Sequence, residues 1–379
     1  MLDHLRYYFN ILVVLAGVAG MILGGQYVWI GSLGVLFFIS LSDALFGEDL
    51  AERKVKYPWI ADFALYLHLP MLVLLYAVFA WRISQGFSEP NTFLTVVAYA
   101  GAIFSFGFLS AVPTLPIAHE FMHRRALFPR MVASILGTFY GDPNRDLAHV
   151  YTHHIHVGTP KDSDTARRGE NVFSFMLRST WGSYKDAFEI EKERQKKKGR
   201  SVWSWRSRIP RMYVMLALLI GITYFIYGWQ VTLCVAGSMF LGKLLVEGPN
   251  YVQHYGLVRA EGTPFDHRHT WEHSTVFSRM VAVEITTHGN HHLDSYAPLY
   301  ELKPSSADNK MPSIFTCFLL ANVPPLWFRL VKSKLKKWDL HYATQEERIL
   351  ARKANERAGW PNWFDDNDEK PVNIKTVGL

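Results

Sequence analysis

Cysteine is almost missing from this sequence: Cys234 and Cys317 are the only two in 379 residues. A Cys-ligated iron–sulfur centre takes several thiolates, so none can be assembled within this chain. A nucleotide-binding glycine motif following a strand is also lacking, which leaves no evident site for a nicotinamide cofactor. If the chemistry is redox, its electrons have to come from another protein. No nucleic-acid motif, internal repeat or low-complexity segment is found. Carboxylates are few among the histidine-rich stretches, a pattern that suits iron, copper or zinc more than magnesium or calcium.

Apolar residues, by contrast, make up 49% of the chain and are bunched. Runs extend over Phe9–Leu23, Tyr27–Leu45, Trp59–Trp81, Phe93–Pro113, Val214–Tyr227 and Val231–Val246. About 20 apolar residues cross the hydrocarbon core, and only helices or closed barrels satisfy their backbone there. The expected fold is therefore all-α and integral to the membrane, with six transmembrane helices in three hairpins and a cytoplasmic, helical, histidine-rich cap. Residues 1–114 would supply four spans and 209–247 the last hairpin, with 115–208 and 248–379 cytoplasmic. Two prolines in PTLP should bend or stop the fourth span before the first histidines.

Basic residues set the orientation. Arg53, Lys54 and Lys56 follow the second span, Arg124 and Arg125 follow the fourth, and the loop GFSEPNT has none. Both termini and all histidine boxes are thus expected on the cytoplasmic side. The first run enters a second span without an evident cleavage site, unlike a signal peptide. The formal charge of +7 suits a face resting on anionic lipid. Trp203 and Trp205 are expected at headgroup depth, and Lys243 to snorkel towards the interface. Asp43, Glu48 and Asp49 would lie at or beyond a cytoplasmic helix end. The tail from Lys332 reads as a solvated helix followed by a poorly ordered acidic end.

Histidine spacing carries the chemistry. His119 and His123 are four apart in IAHEFMH, so on a helix they share a face and can meet one ion. His149 and His153 have the same spacing, and His154, about 100° further round, points to a second ion. His254 follows in NYVQHYGL, and His288, His291 and His292 lie at i, i+3 and i+4. Nine candidate ligands repeated in separate stretches indicate a two-metal site. Candidates to orient the imidazoles are Glu120, Asp142, Asp146, Asp162, Asp164, Glu284, Asp294 and His269. His156, His267 and His273 are set aside as irregularly spaced. His68, within the third span, is read as an interhelical hydrogen bond or a substrate-cavity residue.

One HExxH box is also a zinc-protease signature, but that reading uses His119, Glu120 and His123 and leaves six ordered histidines idle. A metal transporter would hold its ligands within the spans. A ferritin-like diiron site needs two Glu-x-x-His motifs, and Glu120 to His123 is the only match.

The blocks PTLPIAHEFMHRR, YGDPNRDLAHVYTHH, TPKDSDT, NYVQHYGLVR and HGNHHLDSYAPLYEL resemble the membrane hydroxylases of xylene and p-cymene monooxygenases, within the alkane-hydroxylase and membrane-desaturase superfamily. The resemblance runs through nearly the whole chain. It implies a non-heme diiron enzyme, with the nine histidines as ligands, that uses O₂ to hydroxylate a methyl group on an aromatic ring to the benzylic alcohol. Electrons would come from NADH through a separate flavin and iron–sulfur reductase. The alkyl-aromatic substrate (xylene, toluene or p-cymene) would enter from the bilayer lipid, and no nucleic acid takes part. Gln253 stands where alkane hydroxylases carry Glu, which weakens a straight-chain alkane as substrate. Alkane hydroxylase and desaturase share the histidine logic and remain the alternatives.

Overall fold

Every regular element in the computed structural model, which describes residues 2–304 and 309–364, is helical. Four helices are long and apolar enough to cross a bilayer: Leu2–Leu23 (α1), Pro58–Gln85, Thr92–His123 and Arg208–His254. A bent pair, Gly25–Gly31 with Leu33–Phe46 (α2), makes a fifth candidate. At about 1.5 Å per residue, even the 22 residues of α1 reach across the hydrocarbon core. The chain is a multi-pass membrane protein.

The second apolar run is not one helix. It breaks at Ser32 (φ −122°, ψ −82°), and its two parts bend by 44°. The break brings Gly31 against α1, where a Cβ on Gly31 would lie 3.0 Å from the Gly17 Cα and 2.8 Å from a Leu109 methyl. Ser32 is anchored there by its hydroxyl, 2.6 Å from that of Ser105.

Pro58–Gln85 forms α3, and Thr92–Ala111 (α4) continues after a short turn into Leu115–His123 (α5). As the prolines imply, the helix is interrupted between Ala111 and Leu115, although α4 and α5 together still make one 32-residue candidate span. Local substitutions explain why. Pro113 has no N–H to offer the Leu109 carbonyl, and the Thr114 hydroxyl donates to it instead at 2.9 Å. Since that hydroxyl is used as a donor, it accepts from His68 Nε2, also at 2.9 Å. The Asn10 amide donates to the Pro113 carbonyl. His68 is thereby an interhelical strut.

Helix α6 (Leu127–Phe139) and the segment 145–156 lead to α7 (Val172–Lys196) and then to α8 (Arg208–Val246). Within α8, Gly228 has φ 81° and ψ −178°, so two helical pieces meet there. After α8 come α9 (Gly248–His254), α10 (Val276–Val281), α11 (His288–Leu293), α12 (Ile314–Ala321), α13 (Pro324–His341) and α14 (Gln345–Ala358).

Several charged residues sit where sequence alone did not place them. Lys243 does not snorkel: it is 1% exposed, and its ammonium donates to Asp142 (2.7 Å), Glu247 (2.6 Å) and Ser183 (2.9 Å). Arg145 completes this buried cluster with two bonds to Glu247, at 2.8 and 3.1 Å. Asp43 is buried too, and caps α10 from 235 residues away by accepting from the Ser278 N–H and hydroxyl. The helix from Pro324 is no solvated tail either. It buries Trp327, Val331, Leu335 and Trp338, and its Asp339 takes both guanidinium arms of Arg168 at 2.6 and 2.7 Å. The acidic end beyond Phe364 lies outside the described residues. Trp203 and Trp205 are exposed.

Candidate metal centre

Nine imidazoles converge in two groups, His119, His123 and His254 of them at the ends of apolar helices. His119, His123, His149, His154 and His291 form one, and His153, His254, His288 and His292 the other. Within each group the donor atoms lie within 4.8 Å of one another. Helix α5 presents His119 and His123 on one face, as their spacing requires, with ring centroids 4.8 Å apart.

The second box departs from the α-helical expectation. Residues His149–His153 form a π turn, in which the His154 N–H donates to the His149 carbonyl. A π turn aligns residues five apart rather than four. His149 therefore pairs with His154, their Nε2 atoms 3.0 Å apart, while His153 turns to the other group beside His254. The three histidines of α11 also divide: His291 lies 3.2 Å from His154, whereas His288 lies 3.0 Å from His254 and 3.1 Å from His292.

This donor set fits metal ions. His153 donates its Nδ1–H to Asp162 at 2.9 Å, and His254 donates its own to the His269 carbonyl at 3.2 Å. Each is left with a bare Nε2 facing its group. His119, His123 and the His153 Nε2 have no hydrogen-bond partner although buried. Bare nitrogens about 3 Å apart repel unless a cation or a proton lies between them. Burial, followed by the neighbouring imidazoles, holds His149, His154, His291 and His292 well below the usual histidine pKa, so they are neutral and able to ligate.

Among the orienting candidates, Asp162 is the carboxylate that reaches one of the nine imidazoles. Burial opposes its charge, but His153, the Thr165 hydroxyl and the Asp164 N–H hold its pKa below the usual range. The other orienting candidates go elsewhere. Glu120 is engaged by Arg124 at 2.6 Å, and Asp146 by both arms of Arg208 at 2.6 and 2.7 Å. Asp142 holds Lys243, and Asp164 binds Ser179 and Asn250. Glu284 is fixed by Arg6, Arg53 and Arg279. Asp294 is exposed and accepts from the Tyr296 N–H. The His269 ring pairs with Glu347 at 2.7 Å, so His269 supports His254 through its backbone only. Asp142, Asp146 and Glu284 are each taken by a lysine or arginine from a distant segment. His273, set aside from the ligands, is buried and donates to the Pro312 carbonyl.

Two supports have no signal in the sequence. Glu272, fully buried, accepts the Gly289 N–H at 2.9 Å in the first turn of α11, and burial pushes its carboxyl up to about 7. Glu347 on α14 holds both His269 and Arg268.

Directly against the histidines lies a largely apolar cavity. Phe108, Val112, Leu115 and Pro116 form one wall, and Val281, Ile285, Phe315 and Phe318 line it from other elements. It ends at His119, His149 and His288, so it meets both groups. Its polar members are Arg145, Asn250 and Gln253 besides the histidines, and the Gln253 amide nitrogen has no partner. His68 is not among its lining residues.

A family model described as fatty acid desaturase matches residues 94–311. The hydroxylase component of the xylene/toluene monooxygenase of Pseudomonas putida is 44% identical over 96% of this chain and 98% of its own length. Alkane 1-monooxygenase 1 of Pseudomonas aeruginosa is 28% identical over 84% of this chain and 85% of its own. Alkane 1-monooxygenase 1 of Alcanivorax borkumensis is 25% identical, over 83% and 80%.

Proposed function

The chain belongs to the fatty acid desaturase family, and from that premise, with its monooxygenase relatives, we propose that it hydroxylates the methyl group of an alkyl-aromatic hydrocarbon to the benzylic alcohol. It is an oxygen-incorporating oxidoreductase, as those relatives are. Toluene, xylene and p-cymene are the proposed substrates. The observation that carries the substrate class is the 44% identity, over nearly the full length of both chains, to a xylene/toluene monooxygenase hydroxylase.

The nine histidines would hold two non-heme irons, five imidazoles facing one and four the other. When bound, the irons supply O₂ activation and C–H oxidation, chemistry no side chain here can perform. The reaction balances as one methyl C–H and O₂, with two electrons and two protons, giving the alcohol and water. With two cysteines in the chain, the electrons would come from NADH through a separate flavin and iron–sulfur reductase.

The protein's own part is positioning and exclusion of water. Phe108, Val112, Leu115, Val281 and Phe315 offer an apolar ring a dry surface. The cavity's end at His119, His149 and His288 would bring the methyl group to the metal site. Asp162, the His269 carbonyl and Glu272 keep the imidazoles aimed. The histidines lie beside the apolar helices, which supports entry of substrate from the bilayer. Counting the bent pair and dividing α8 at Gly228 would make six spans of these helices. The basic loops then favour both termini and the domains 115–208 and 248–379 on the cytoplasmic side, and the bacterial monooxygenase relatives favour the inner membrane.

Alkane hydroxylation is the second reading, favoured by the relatives from P. aeruginosa and A. borkumensis. Cells carrying this chain and a matching reductase, offered toluene, p-cymene and octane together under ¹⁸O₂, decide between them. Labelled benzylic alcohols, absent when the reductase is omitted, are the expected result. Octanol as main product would replace the substrate class, and an alkene from an acyl chain would replace the reaction.

A further inference from the structure

The cavity has a feature that the relatives' names do not address. Gly248 opens α9 directly after the long α8, and both it and Phe318 of α12 line the cavity. The Phe318 ring lies on the bare Gly248 backbone. A Cβ built on Gly248 would fall 2.6 Å from Phe318 Cε2 and 3.0 Å from Cδ2. Carbon atoms pack at about 3.5–4.0 Å, so any side chain here would have to displace the ring by roughly an ångström. The Met176 methyl lies 3.7 Å from the same point, already at contact distance. Phe318 is part of the cavity wall, so a shift of its ring changes the shape of the cavity. Gly248 is buried while Phe318 is only partly so, which leaves the ring as the movable partner.

We propose that Phe318, seated on Gly248, is a specificity-determining residue that sets the width of the cavity and thereby the bulk of the hydrocarbon that reaches the histidines. The substrate class rests on the function proposed above; the width argument stands on the Gly248–Phe318 contact. Any inward movement of Phe318 costs the larger substrates first, because an added methyl or isopropyl group must occupy the space the ring takes. One methylene in an apolar pocket alters discrimination by about 10-fold or more.

The test uses the full chain in membranes with its reductase and equimolar toluene and p-cymene in competition, reading the ratio of cymyl to benzyl alcohol. Phe318→Ala should raise that ratio by about 10-fold, and Gly248→Ala should lower it by a similar factor. The double variant carrying both changes should return towards the wild-type ratio, because the alanine Cβ then occupies space the ring has vacated. A purely structural defect would lower both products together and would not be rescued in this way. Should Gly248→Ala fail to accumulate, Phe318→Ala and the milder Phe318→Leu, graded in the same direction, carry the test. Ratios within two-fold of wild type in these variants, or opposite single variants shifting the same way, overturn the proposal. If the wild-type chain oxidises no alkyl-aromatic, the functional reading falls by itself. The same variants are then compared on octane against cyclohexane, where an unchanged ratio overturns the width claim and opposite shifts sustain it.

Discussion

Replacing Asp162 by asparagine tests whether the two histidine groups hold separate ions. Asp162 Oδ2 accepts from His153 Nδ1 at 2.9 Å and from the Thr165 hydroxyl at 2.6 Å, while Oδ1 accepts the Asp164 N–H at 2.9 Å. An amide has one acceptor oxygen. If that oxygen faces His153, the new NH₂ meets the Asp164 N–H, and a buried donor loses its partner at a cost of about 1–3 kcal/mol. If it faces Asp164, the NH₂ opposes His153 Nδ1–H, and the imidazole loses the tautomer that bares Nε2. Loss of such an orienting partner typically weakens metal affinity 10–100-fold, or about 1.4–2.7 kcal/mol. His153 belongs to the four-histidine group alone. Anaerobically prepared Asp162→Asn protein, titrated with a graded iron chelator, should thus release one iron at about 10–100-fold less chelator and keep the other as wild type does. Iron retention unchanged at both positions, or both irons lost together, would refute the assignment of His153 and its carboxylate to one of two distinct ions.

Lys243→Met should destabilise the protein by about 3 kcal/mol, because Asp142 stays buried after losing the ammonium that donates to it, while Arg145 still holds Glu247; a detergent melt within a degree of wild type would contradict this. Glu347 has its pKa lowered to about 2: burial works against the charge, but the hydrogen bonds from His269 and Arg268 outweigh it. A depressed folded-state value stabilises fully above the ordinary carboxylate pKa and is lost as pH falls through the folded one. The stability advantage of wild type over Glu347→Gln should therefore be complete above about pH 4.5 and shrink towards pH 2, and an advantage that grows on acidification would exclude this account.

Much of the molecule could be read directly from residue order. Long apolar runs and histidines three and four apart are local patterns with the period of a helix, so an all-helical membrane chain and all nine imidazoles were evident. Their division between two groups was not. A π turn at His149–His153 changes which residues align, and nothing in HVYTH announces one. The fates of charged residues were equally hidden. Lys243 looked like an interfacial lysine, Asp43 like a helix-end charge and Asp146 like an imidazole acceptor. Their partners Asp142, Ser278 and Arg208 lie 101, 235 and 62 residues away. Periodicity is a property of neighbours along the chain, whereas the pairing of a buried charge depends on which distant donor the fold brings within about 3 Å. That choice, and with it the cavity formed where Gly248 meets Phe318, belongs to the tertiary structure alone.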